Sequence, residues 1–317
     1  MPMKFEKLLT INVESTALDK EYWARIDAVS GKRVSLPKDS PNIKKEIKDA
    51  DALLTGFGTQ ITKEILSAAP KLKYIGVLAT AYDFVDFSFA KEKGLTVTNV
   101  PGYSTEAVAE LTIGMILDTI RELEKAKIRA RSGDYTFDNY SASEIKGKVF
   151  GVFGLGNIGR RVAELAQGFD ADVRYYSRNR KPDAEKKGIK YEEADKLIPQ
   201  CDFLSLNLAL RADTTKFLSA ARIKKLKKGA VVVNTAPMGL VDVDALEARL
   251  AQNDIFFMFD HSDDTPADQM KRLSKYKNCV AYPPIGFITP EARVEKEKIF
   301  VGNIEGFLKG TPTNKVN

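Results

Sequence analysis

Short apolar runs alternate with amphipathic stretches from one end of the chain to the other, without an internal repeat. Strand-length apolar runs separated by helix-length segments predict an α/β fold with parallel sheets. In the first third the candidate strands are Lys7 to Val13, Ala52 to Phe57, Tyr74 to Leu78 and Thr96 to Thr98. The segments between them are long enough for crossover helices rather than hairpins. The pattern breaks at Val100, Pro101 and Gly102, and a long helix is predicted from about Ser104 to Arg131. Val108, Leu111, Met115 and Ile116 form its apolar stripe, Ser104 or Thr105 can cap its start, and Glu106 sits favourably in its first turn. A second, more regular series begins at Lys148, with strands at Lys148 to Phe153, Asp172 to Tyr176, Phe203 to Leu206, Ala230 to Asn234, Ile255 to Phe259 and Cys279 to Tyr282. After Pro283 and Pro284 a last helix runs from about Pro290 to Leu308. Breaks at both Pro101 and Pro284 suggest that this helix packs back on the first domain and makes it discontinuous.

Composition narrows the picture further. A chain of 317 residues with 44% hydrophobic and 29% charged side chains has the make-up of an ordinary globular protein of two domains. Its two cysteines, Cys201 and Cys279, suffice neither for a disulfide scaffold nor for a four-thiolate zinc site. A single histidine excludes a multi-histidine metal centre, so any histidine acid–base chemistry runs through His261. The net charge of +6 is spread along the chain, and its densest cluster, Lys224, Lys225, Lys227 and Lys228, reads as the wet end of a helix rather than a nucleic-acid surface. No run of 18 apolar residues occurs and Met1 to Leu9 has no signal-peptide core, so no membrane partner and a cytoplasmic location are expected.

The clearest chemical signal is Val152-Phe153-Gly154-Leu155-Gly156-Asn157-Ile158-Gly159-Arg160, which ends a strand-like run and opens the helical segment Asn157 to Gln167. In that context G-x-G-x-x-G marks dinucleotide binding. Gly154 makes the tight turn, Gly156 admits a pyrophosphate to the backbone, and Gly159 lets helix and strand pack closely, while Asn157 and Ile158 begin a helix whose N–H groups face the anion. An acidic residue at the end of the next strand would favour NAD, and arginine would favour NADP. Here Ser177-Arg178-Asn179-Arg180-Lys181 follows Tyr176 with no acidic residue between Val173 and Pro182. The segment therefore reads as NADP(H) preferred over NAD(H), with Ser177, Arg178 and Arg180 as contacts; a basic surface loop on an NAD protein is the alternative.

With the loop placed, the chain resembles the D-2-hydroxyacid dehydrogenase family, most closely its glycerate dehydrogenase or hydroxypyruvate reductase branch. The resemblance rests on Leu78-Ala79-Thr80-Ala81-Tyr82-Asp83-Phe84-Val85-Asp86, on the stretch from Val97 to Glu110, on the glycine loop, on Val231 to Ala236 and on Gly239 to Asp242. It implies a Rossmann doubly wound parallel-sheet domain near residues 101–284 and a discontinuous flavodoxin-like substrate domain from 1–100 and 285–317. A cleft between the domains for a small-molecule substrate, and usually a homodimer, are implied as well. By the same resemblance Asp260 and the Ala236 carbonyl contact the nicotinamide carboxamide. The backbone of Ala79, Thr80 and Ala81 grips the substrate carboxylate, with Asp83 close by.

The family's three catalytic side chains are missing. Pro237 and Met238 stand where its arginine follows the Asn-Thr-Ala segment, Thr265 where its glutamate precedes a proline, and Pro284 where its histidine follows a proline. No arginine lies between Arg222 and Arg249 and no histidine follows His261, so shifting the alignment restores neither; for the glutamate, Asp263 and Asp264 lie one or two residues upstream. A positioned general acid contributes about 10²–10⁴ in rate, and proline offers no proton. Ordinary hydroxypyruvate reduction is therefore not expected. His261, Tyr282 and Tyr103 are the candidate substitutes. Two readings compete, an NADP(H)-linked oxidoreductase acting on a substrate unlike a plain 2-keto acid and a catalytically silent NADP(H)-binding homologue with a regulatory or scaffolding role.

Overall fold

The computed structural model describes residues 4–317. The chain divides into two compact units, Met1–Tyr103 with Thr289–Asn317, and Ser104–Ile288. In the first unit β1 (Phe5–Ile11), β2 (Ser30–Leu36), β3 (Ala52–Thr55), β4 (Tyr74–Val77) and β5 (Thr96–Thr98) form a parallel sheet in the order β2-β1-β3-β4-β5. This is the flavodoxin-like order. The last helix, Pro290–Leu308, begins where Thr289 Oγ1 accepts from the Ala292 N–H at 3.1 Å. It packs on this same sheet, where Phe300, Val301 and Ile304 share a core with Phe5, Leu8, Trp23 and Tyr74.

The second unit holds β6 (Val149–Phe153), β7 (Asp172–Tyr176), β8 (Lys190–Tyr191), β9 (Phe203–Leu206), β10 (Val231–Asn234), β11 (Phe256–Phe259) and β12 (Cys279–Ala281). They pair in parallel in the order β12-β11-β10-β9-β6-β7-β8. The order reverses between β6 and β9, and in open α/β sheets the ligand crevice lies outside the carboxyl ends of the strands at such a reversal. β9 and β10 are buried along their whole length, as expected of parallel strands covered on both faces.

Three expectations need correction. The long helix is two, Thr105–Ile120 and Leu123–Arg131, because Glu122 adopts φ 48°. Its carboxylate accepts from the Ser141 N–H and from Lys125 Nζ, a tie to the following loop that helical periodicity does not reveal. Ser104 occupies the cap position without a capping bond from its side chain; Glu106 instead makes a bidentate pair with Arg161 of the glycine-loop helix, at 2.7–2.9 Å. Two strands were also missed. β2 (Ser30–Leu36) is an edge strand with no fully buried position, and β8 is only two residues long, so neither shows an apolar run.

Candidate active site

The carboxyl edge of the second sheet carries a row of buried polar atoms that no protein group satisfies. Asn207 Oδ1 follows β9, Thr235 Oγ1 follows β10 and Asp260 Oδ1 follows β11, and none has a hydrogen-bond partner. Buried polar groups are ordinarily paired, so three unpaired groups at the ends of three adjacent strands mark a place built for a ligand. The row continues across β6 with the glycine loop and across β7 with Ser177. At about 4.8 Å between strands, it has the reach of an extended dinucleotide.

The glycine loop has the shape its sequence requires. Gly154 has φ 98°, and a Cβ there would lie 2.6 Å from the Asn207 carbonyl oxygen; a Cβ on Gly159 would lie 2.0 Å from the Gly154 carbonyl oxygen. Gly156 differs, since a Cβ on it would meet no protein atom within 4 Å. Its outer side is open, the side on which an anion would meet the N–H groups of Asn157, Ile158 and Gly159 at the helix start. Asn157 is exposed and Ile158 half-buried. At the other end of the row, Asp260 is 6% exposed and its Oδ2 accepts from the Gly286 N–H at 3.1 Å. The free Oδ1 suits an amide donor such as a nicotinamide carboxamide. Ala236, after β10, is buried beside it in sequence order of the row, its N–H donating to Asn234 Oδ1 at 3.3 Å.

The two arginines after β7 diverge. Arg178 forms an ion pair with Asp213, on the loop that follows β9. Arg180 donates through Nε to Glu185 Oε1 at 3.1 Å and lies 5.0 Å from the Tyr191 ring centre, toward the β8 edge. Ser177 is buried, with its hydroxyl donating to the Asn179 carbonyl at 2.6 Å. The structure thus leans only Arg178 toward the glycine-loop side. Asp213 lies 35 residues from Arg178 along the chain, so local sequence does not reveal the pairing.

The residues that the resemblance sets against the family's catalytic side chains are engaged in local structure. Pro237 precedes the short turn Met238–Leu240. Thr265 is buried and donates to the His261 carbonyl at 2.7 Å. Pro284 lies in the segment that Gly286 fastens to Asp260. His261 is half-exposed, with Nδ1 3.5 Å from Asp264 Oδ2 and 4.0 Å from Asp263 Oδ1. Tyr282 directly follows β12, its N–H donating to the Phe259 carbonyl at 2.7 Å. Its half-buried ring packs against the core that includes the helix Thr105–Ile120, and burial, then Asp118 and Glu124, hold its phenol above the ordinary tyrosine range. The thiols serve no better as nucleophiles: burial raises Cys201 and pushes Cys279 up to about 12.

In the first unit, Ala79–Ala81 follow β4. Thr80 Oγ1 donates to the Val100 carbonyl at 2.9 Å, Asn99 Nδ2 donates to the Thr80 carbonyl at 2.7 Å, and the Val100 N–H donates to the Ala79 carbonyl at 3.0 Å. Asp83 is exposed in the turn closed by the Val85 N–H on the Tyr82 carbonyl at 3.0 Å. Tyr103 is half-buried under Lys296 Nζ, 5.8 Å from the ring centre.

Burial holds the Asp260 carboxyl above its ordinary 3.8, opposed by the His261 charge and the Gly286 N–H. A carboxyl whose folded value is raised keeps its proton longer in the native state than in the unfolded one, so its contribution to stability falls as pH climbs from 3.8 through the folded value. Asp260→Asn is therefore expected to raise the thermal midpoint relative to the parent more at about pH 7 than at about pH 4. A pH-independent difference would show that burial does not raise the Asp260 carboxyl.

Comparison with known proteins agrees with this geometry. The chain is 34% identical over 293 residues to a glyoxylate reductase of Thermococcus litoralis, covering 89% of this chain and 88% of that one. It is 31% identical over 287 residues to a hydroxypyruvate reductase of Blautia hydrogenotrophica, covering 88% of each. Among solved structures, an acyclic imino acid reductase in complex with NADPH and D-Arg aligns with a TM-score of 0.84 at 28% identity, over 98% of this chain and all of that one. A glyoxylate reductase from Paecilomyes thermophila aligns with a TM-score of 0.85 at 26% identity, over 100% and 99% of the two chains. Residues 113–286 match the D-isomer specific 2-hydroxyacid dehydrogenase, NAD binding domain, a span that holds the glycine loop and the whole row of unpaired groups. The chain belongs to the D-isomer specific 2-hydroxyacid dehydrogenase family, and its second unit is the family's nicotinamide-cofactor-binding domain.

Proposed function

We propose that this protein is an NADP(H)-linked reductase of the family whose substrate is a protonated imine of a small carboxylic acid rather than a plain 2-keto acid. The observation that carries the reading is the pair Pro237 and Pro284 at the positions of the family's arginine and histidine. When bound, the nicotinamide supplies or accepts a hydride at the substrate carbon. A carbonyl reduced in this way becomes an alkoxide, which needs a cation and then a proton. An iminium carbon that receives hydride leaves a neutral amine and needs neither. The structural neighbour bound to NADPH and D-Arg, an imino acid reductase, lends the same direction. The chain's own part is then to hold the cofactor along the carboxyl edge, with Asp260 Oδ1 accepting from the carboxamide and the glycine loop meeting the pyrophosphate. His261 beside Asp264 is the acid–base pair that remains near Asp260.

For the cofactor, Arg178 is the contact to a 2′-phosphate, exchanging Asp213 for the ligand. Arg178→Ala is expected to weaken NADPH about tenfold while leaving NADH little changed, from the loss of one hydrogen-bonded charge. Arg180→Ala should do less, since Glu185 and Tyr191 already hold that side chain. Equal effects on the two cofactors in a fluorescence titration would remove the phosphate argument. A homodimer belongs to the same reading. The helix Leu123–Arg131 buries none of its residues, and beyond it Tyr135 and Phe137 are 82% and 90% exposed, so a second chain is the natural cover; light scattering on the intact protein checks the mass.

The deciding assay measures NADPH oxidation with glyoxylate and hydroxypyruvate, each with and without methylamine. Turnover that depends on the amine supports the reading, and robust amine-free hydroxypyruvate turnover overturns it. Tight NADPH binding with no turnover at all favours the silent, regulatory homologue.

A further inference from the structure

We propose that Lys296 is a cation that anchors the substrate carboxylate on the first unit; the substrate's identity as a carboxylic acid rests on the reading above.

The terminal helix touches the segment 99–103 twice along one stripe. Asn303 Nδ2 donates to the Asn99 carbonyl at 2.7 Å, and Lys296 Nζ lies over the Tyr103 ring at 5.8 Å. Positions 296, 300 and 303 share a helix face, and Phe300 between them is fully buried. The same segment is tied to the loop 79–81 by the three hydrogen bonds at Thr80, Asn99 and Val100. One helix face therefore sets an ammonium over Tyr103, in the segment that is hydrogen-bonded to Ala79 and Thr80.

The charge balance around Lys296 is unusual for this chain. Lys7, also buried, is matched by Glu46 at 2.9 Å and Asp49 at 2.5 Å. Lys296 makes no salt bridge among the described residues. Its neighbour Glu297 is buried and turned elsewhere, with Oε1 accepting from the Asp19 N–H at 3.1 Å and from Arg293 Nε at 3.0 Å. Burial lowers the proton affinity of Lys296, with Glu297 opposing and Arg293 adding to the effect. A half-buried cation without a salt-bridge partner is unfavourable, and a ligand carboxylate would supply one. The face of Tyr103 adds a further, weaker attraction of the cation–π kind. Lysine suits the task, being a compact charge on a flexible stem that can reach one carboxylate oxygen.

Oxamate carries this carboxylate and oxamide does not, so calorimetry with both on the NADPH-loaded protein tests the anchor without turnover. Lys296→Met, which keeps an unbranched helix-forming side chain, is expected to weaken oxamate about tenfold or more while leaving oxamide and NADPH unchanged. Lys296→Arg should recover part of the loss. In turnover, the KM for glyoxylate with methylamine should rise likewise in Lys296→Met, with kcat and the KM for ethyl glyoxylate with methylamine unchanged. A parent protein that binds oxamate no better than oxamide, or a Met variant that loses both equally or loses neither, overturns the proposal. If oxamate binding depends on Lys296 but no imine is reduced, the anchor stands and the reductase reading falls.

Discussion

Gly159→Ala is expected to remove NADPH binding, by about a hundredfold or more, and to lower the thermal midpoint. The methyl group would sit 2.0 Å from the Gly154 carbonyl oxygen and 3.1 Å from its carbon, both backbone atoms that cannot rotate away. The helix Asn157–Gly168 must then lift from the loop, at an overpacking cost of about 1–3 kcal/mol. Two or more charge-assisted N–H contacts to a pyrophosphate would be lost with it, each of about 1.5–3 kcal/mol, which is the source of the hundredfold figure. Gly156→Ala separates the two effects. Its added Cβ meets no protein atom within 4 Å, so the thermal midpoint should hold while the methyl occupies the space of the phosphate and affinity falls. Fluorescence titration and thermal denaturation of both variants read this directly. A Gly156→Ala protein that binds NADPH as the parent does would mean that the anion does not lie against this loop.

The second large effect is a gain. Pro237→Arg with Pro284→His is expected to raise amine-free glyoxylate and hydroxypyruvate reduction by about a hundredfold, the lower end of what a positioned general acid contributes. The lower end applies because Thr265 offers no carboxylate to orient the new histidine and is itself buried against the His261 carbonyl. Pro237 is half-exposed at φ −54° and ψ 138°, a conformation open to arginine, so the exchange needs no backbone rearrangement there. The double variant should exceed the product of the singles, since the cation and the acid act on the same oxygen. A double variant that binds NADPH normally yet gains nothing would remove these two positions from the proposed account of the substrate.

Both predictions draw on features of different legibility. The parallel α/β architecture and the role of each loop glycine could be read from residue order, because periodicity and turn chemistry are local properties. The break at Glu122 could not, since it depends on the loop at Ser141 returning to meet the carboxylate. The edge strand β2 escaped notice because half-exposed strands need no apolar run. That burial, Asp118 and Glu124 hold the Tyr282 phenol above its ordinary range could not be read from its place beside Pro283.

The sequence by itself determined the family, the nucleotide loop and the single histidine. Those are statements about which residues exist, and no fold can return a histidine to a chain whose single one stands at 261. Tertiary structure decided what the remaining groups face. Unpaired Asn207, Thr235 and Asp260 fall into one row only because β9, β10 and β11 are neighbours in the sheet. Arg178 met Asp213 across 35 residues, and Lys296 met Tyr103 across most of the chain. Charge and hydrogen-bond partners act through space over a few ångströms, whatever their separation along the chain.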